Sequence, residues 1–114
     1  MINMESKSER LTRIIKEIVA HNDVEGAAIV ARNGLLITAN LPSDIDERRF
    51  GAMTATMMGA IETAAITLNK GAVKRVTAEI EKSIILGIGA GPRAIVVVSL
   101  SPNATLTELS AKIE

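Results

Sequence analysis

The sequence predicts an α/β domain of the order α-β-β-α-β-β-β-α, with one mostly antiparallel sheet of five strands and a long central helix crossing it. Three observations lead there. Apolar residues recur at helical spacing near the start, through the middle and near the end of the chain; between these stretches short runs alternate or are apolar throughout. The short runs are joined in sets by Asn33-Gly34, Lys82-Ser83 and Gly91-Pro92-Arg93. Tight turns of this kind connect antiparallel neighbours, because parallel ones need a long crossover.

Taken in order, Ser6 with Glu9 three residues on is a capping-box pattern, and Leu11, Ile14, Ile15, Ile18 and Val19 follow at helical spacing. A first amphipathic helix results, ending at His21 and Asn22. VEGAAIVARNGLLITAN then holds two strands around Asn33-Gly34, a pair able to take the positive φ angles of a type I′ hairpin turn. After Pro42, Ser43 with Asp46 or Asp44 with Glu47 can start the long helix over residues 44–70, and Gly71 stands where it would close in the left-handed conformation. Residues 73–81 alternate, with Val76, Ala78 and Ile80 on one side and Arg75, Thr77, Glu79 and Glu81 on the other. SIILGIGAG is a strand whose Ile85, Gly87 and Gly89 share a face, and AIVVVSL, apolar on both faces, belongs in the sheet centre. Thr105 and Glu108 cap a last helix carrying Leu106, Leu109 and Ile113.

The long helix is unusual in having two uncharged faces. Phe50, Met53, Met57, Ile61, Ala64 and Leu68 form an apolar stripe expected to hold the sheet. The other face carries Ala52, Thr56, Gly59, Ala60, Thr63 and Ile66, where a solvated helix would be charged. A second partner is expected there, a second copy of the helix; packing under terminal helices of the same chain is the alternative. Glu62, the one carboxylate in this part, is expected at the solvent edge or paired across a dimer.

Composition excludes several classes of function. Thirteen basic and thirteen acidic residues leave no net charge to attract nucleic acid or an anionic membrane. Phe50 is the sole aromatic residue, so stacking platforms for single strands are absent. Without cysteine there is no disulfide, thiolate metal site or Cys nucleophile, which fits an intracellular place. MINMESKSER lacks the apolar run of a secretory signal. Residues 50–68 approach the length of a membrane span, but Glu62 and four threonines argue against insertion. The whole chain, residues 1–114, reads as one domain.

No chemistry assembles. Gly87, Gly89 and Gly91 lack the spacing, the lysine and the following helix of a phosphate loop, so packing is expected of them. His21 is the only imidazole, without a nucleophile or orienting carboxylate. Asp44, Asp46 and Glu47 suit a helix start, and Glu79 and Glu81 a solvated strand face, rather than acid/base pairs. Neither a metal nor a cofactor is expected.

VEGAAIVARNGLLITANL, the Ala-rich long helix and VKRVTAEIEKSIILGIGAGPRAIVVVSL together resemble the roadblock family, the dynein light chain type, over residues 11–112. The resemblance implies a homodimer with antiparallel long helices, in which the strand over residues 73–81 pairs with its symmetry mate. The implied interface is Ala52, Thr56, Gly59, Ala60 and Thr63 on the helix, with Arg75, Thr77 and Glu79 on the strand. It further implies a cytoplasmic, non-enzymatic scaffold or regulator that binds a Ras-like small GTPase, as the bare prokaryotic members of the family do. A small-ligand sensor with a pocket between the long helix and the glycine-bearing sheet is the alternative.

Overall fold

Hydrogen-bonded pairing joins five strands antiparallel to their neighbours, in the order Leu36–Asn40, Val24–Ala31, Ala94–Leu100, Ser83–Ala90, Val76–Ile80. The structure, a computed structural model, describes residues 5–104. Its elements are α1 (Lys7–Val19), β1 (Val24–Ala31), β2 (Leu36–Asn40), α2 (Glu47–Leu68), β3 (Val76–Ile80), β4 (Ser83–Ala90) and β5 (Ala94–Leu100). The helix expected from Thr105 onward lies outside the described residues.

The period-2 alternation of the central strands sorts their side chains to two helices. Val96, Val98 and Leu100 of β5 join Ile29 of β1 and Leu86 and Ile88 of β4 against Ile15 and Ile18 of α1. Ile95 and Val97 join Ala28 and Val30 against Ala55 and Met58 of α2. The apolar run expected to be central is therefore central, and each face has its own helix. Fully burying an Ile such as Ile15, 2% exposed, contributes about 1.5–3 kcal/mol.

Ser6 caps α1 as expected, accepting from the Glu9 N–H at 3.1 Å. Three local expectations change. The β1–β2 turn is not type I′, because only Gly34 has positive φ, 94°. The Gly34 N–H donates to Ala31 O and the Ala31 N–H to Leu35 O, both at 2.8 Å, so Arg32-Asn33 form the turn and Gly34 alone is left-handed. Asn33 Oδ1 accepts from the Leu35 N–H at 3.2 Å, an Asx-type bond available without positive φ at Asn33. The long helix begins after Asp46, not at Ser43 or Asp44, because residues 42–45 make a turn closed by the Ile45 N–H on Pro42 O at 3.1 Å. It ends at Asn69, which takes the left-handed cap at φ 53° two residues before Gly71.

Candidate protein interface

α2 meets the sheet through small residues. Gly51, Thr54, Ala55 and Met58 are its buried positions. A Cβ at Gly51 would stand 3.4 Å from Val30 Cγ2, and Met58 lies across Gly87, its Sδ 2.9 Å from where a Cβ of Gly87 would be. Gly87 is thus a seat for Met58, as its packing role predicted. The Thr54 hydroxyl donates to Phe50 O at 2.9 Å and Gly51 O at 3.0 Å, so its burial leaves no polar atom unpaired.

This corrects the expected core stripe of α2. Phe50 and Met57 are half-buried at the margin of the sheet contact, but Met53, Ile61 and Leu68 are 58%, 44% and 67% exposed and Ala64 is exposed too. The physical reason is approach distance: a helix with Gly and Ala inward comes nearer the sheet than one with large side chains inward, and the large ones are displaced to its flank. Gly51, Ala55, Met58 and Glu62 also recur at three and four, the signal that marks this face in the sequence.

Of the residues expected at an interface, Thr56, Gly59, Ala60 and Thr63 are exposed on the far side of α2 and Ala52 is half-buried. The Thr56 and Thr63 hydroxyls donate back to Ala52 O and Gly59 O at 2.9 and 2.8 Å, turning their polar atoms toward their own helix. Thr77 and Glu79 are exposed on β3, and Arg75 is exposed just before it, since the strand is shorter than residues 73–81. β3 is the last strand of the sheet, and its Ile80 is 56% exposed.

Between the exposed flank of α2 and the sheet runs a groove of about 400 Å³, walled by Phe50, Met53, Thr54 and Met57 over Ile85, with Asp46 and Arg49 at one end. A smaller hollow of about 240 Å³ opens on the other flank, beside Gly59, Thr63 and Ile66. Its floor includes an ion pair between Arg32 Nη1 and Glu62 Oε1. Arg32 Nε also donates to Gly91 O at 3.2 Å, so one guanidinium ties the β1–β2 turn, α2 and the β4–β5 turn together. Glu62 is thus half-buried and paired within its own chain, an arrangement that neither sequence expectation named; its partner is 30 positions away and only the sheet brings it near.

Gly87 and Gly89 lie within β4, with Met58 and Arg32 filling the space beside them, so they form no phosphate loop. Among the described residues no group of three or more His, Cys, Asp or Glu could hold a metal ion. None of their helices is long and apolar enough to cross a membrane.

The family model of the Roadblock/LC7 domain matches residues 11–100, from α1 through the end of β5. The chain belongs to the Roadblock/LC7 family. A protein of Methanocaldococcus jannaschii is 28% identical over 89 residues, covering 78% of each chain. Among solved structures, this roadblock chain is similar to Myxococcus xanthus MglB, with TM-score 0.86 and 18% identity over 99% of this chain and 86% of that one. It is also similar to a Roadblock/LC7 domain of Streptomyces avermitilis, with TM-score 0.81 and 16% identity over 89% and 86% of the two chains. At such identities the structural likeness speaks for the roadblock fold, and the expected strand and helix order agrees with it.

Proposed function

We propose that this roadblock chain is a cytoplasmic homodimer that binds a Ras-like small GTPase and acts as a scaffold or regulator, supplying no catalytic group of its own. The observation that carries the self-association is the apolar flank of α2, Met53, Ile61 and Leu68, left exposed on the same side of the sheet as Ile80 of the terminal strand. Contiguous apolar surface of this kind marks a protein contact. A twofold contact buries each side chain twice, and four such residues at about 1–2 kcal/mol each would contribute roughly 8–16 kcal/mol, comparable with the association cost of about 4–15 kcal/mol. Arg75, Thr77 and Glu79 line the β3 edge, where a second β3 would continue the sheet.

The small-residue face of α2, Ala52, Thr56, Gly59, Ala60 and Thr63, exposed apart from half-buried Ala52, is the remaining helical part of the proposed dimer interface. Family membership supports the choice of a GTPase as partner. Light scattering at tens of micromolar should give a dimer, and affinity capture from the source organism should enrich a Ras-like GTPase in one nucleotide state. A monomer would remove the dimer. The groove beside Phe50 favours the small-ligand sensor as second reading; a metabolite in native mass spectra, with no GTPase captured, would select it.

A further inference from the structure

We infer that the hollow beside Gly59, Thr63 and Ile66 is a binding site for a carboxamide on a short aliphatic stem, the group that ends a glutamine side chain. It lies across α2 from the groove beside Phe50 and from the exposed Met53, Ile61 and Leu68. Its volume of about 240 Å³ is below the roughly 300–1,000 Å³ of sites that enclose a whole drug-sized ligand, so it suits one small group. A glycine inside a helix costs stability relative to alanine, and close approach is the usual return for it. At Gly51 that approach is internal, since a Cβ would stand 3.4 Å from Val30 Cγ2; at Gly59 an added Cβ would meet no atom within 4 Å. The chain itself gains nothing from the missing side chain. Ile66, one heptad later on the same side, is 77% exposed, more than any other large apolar residue described. An open slot beside an uncovered apolar wall fits an aliphatic stem.

The polar end of the site is set by Arg32 and Glu62, which both line the hollow, with side chains 29% and 32% exposed. Arg32 Nη1 donates to Glu62 Oε1 and Arg32 Nε to Gly91 O, while Arg32 Nη2 and Glu62 Oε2 have no hydrogen-bond partner among the described residues. The Thr63 hydroxyl donates to Gly59 O, so it brings no further donor. A free donor therefore stands beside a free acceptor, on a pair whose charges cancel. For an ammonium or a carboxylate, attraction by one member of the pair is offset by repulsion from the other, and the ion loses its water. A carboxamide carries no charge; its oxygen accepts from Nη2 and its NH₂ donates to Oε2.

NMR titration of the protein with butyramide should give saturable shifts at Gly59, Thr63, Ile66 and the Arg32 Nε–H, whereas butylammonium and butyrate at equal concentration should not. Glu62→Gln leaves the charge of Arg32 unbalanced, so butyramide should weaken about tenfold and butyrate should now bind. Arg32→Gln should admit butylammonium instead. Gly59→Ala should raise the Tm by roughly 4 °C and remove the butyramide shifts, a gain of stability with loss of binding that a packing role for Gly59 would not produce. Tighter binding of a capped glutamine peptide than of free glutamine assigns the site to a protein side chain, and the reverse order assigns it to the free amino acid. Three results overturn the inference: butyramide leaves these signals unmoved, either ion binds the wild type as well as butyramide does, or Gly59→Ala weakens self-association and leaves butyramide binding unchanged.

Discussion

α1 and α2 each carry an apolar stripe in the sequence, and the fold uses the two in opposite ways. On α1 the stripe is the buried face: Ile15 and Ile18 are inside, while Arg10, Arg13, Lys16 and Glu17 face water. On α2 the stripe is left at the flank, and Gly51, Thr54 and Ala55 go inside with Met58. The difference lies in what the opposite face offers. A helix with a charged back can bury only its apolar side, so periodicity determines its orientation. A helix uncharged on nearly every side can bury several faces, and shape then decides. The sheet face under α2, with Gly87 open to Met58, favours the narrow side.

The largest effect that would sharpen this contrast is in the cores. Ile15→Ala should destabilise the protein by about 2–5 kcal/mol in urea unfolding, because it opens a cavity in a filled site. Ile61→Ala, the same chemistry on the stripe of α2, should act chiefly through self-association, so its cost should vary with protein concentration while that of Ile15→Ala does not. Equal, concentration-independent losses would break the distinction. Gly87→Val tests the narrow contact: its side chain would collide with Met58, and a loss of roughly 1–3 kcal/mol is expected. A substitution without effect would mean that α2 is not held close to the sheet.

The smallest effect belongs to the charged surface of α1. Hydrogen bonds from Arg13 Nε and Nη2 at 3.0 and 2.9 Å, reinforced by its charge, hold the Glu5 carboxyl below its ordinary value near 4.5. A depressed folded-state pKa stabilises the fold above the ordinary value and ceases to do so as pH falls through the lowered one. Arg13→Gln should return the Glu5 titration, followed by carboxyl NMR, toward 4.5 with little change in stability at neutral pH.

What could be read directly were features with one physical solution. The cap at Ser6, the two-faced burial of β5 and the shared face of Ile85, Gly87 and Gly89 each follow from a local hydrogen bond or a period of two. The hairpin bend lies at Asn33-Gly34 as the sequence predicts, but with Arg32-Asn33 as its central residues and without a type I′ geometry. Asn33 satisfies the Leu35 N–H from its side chain without the positive φ of a type I′ turn, and sequence does not weigh the two. The start of α2 moved for a similar reason, since three acidic or hydroxyl residues compete for the cap and the turn at Pro42 excludes two of them.

Local sequence suffices for the order of elements, the central place of β5, the helical course of α2 and its shortage of charge. Each of these depends on neighbours along the chain. Which side of α2 meets the sheet, the pairing of Arg32 with Glu62, and the groove that Phe50 and Met57 wall over Ile85 emerge from the folded arrangement. Those depend on distances between segments far apart in sequence. There a helix with several uncharged faces has several acceptable orientations, and close packing against a particular sheet selects one.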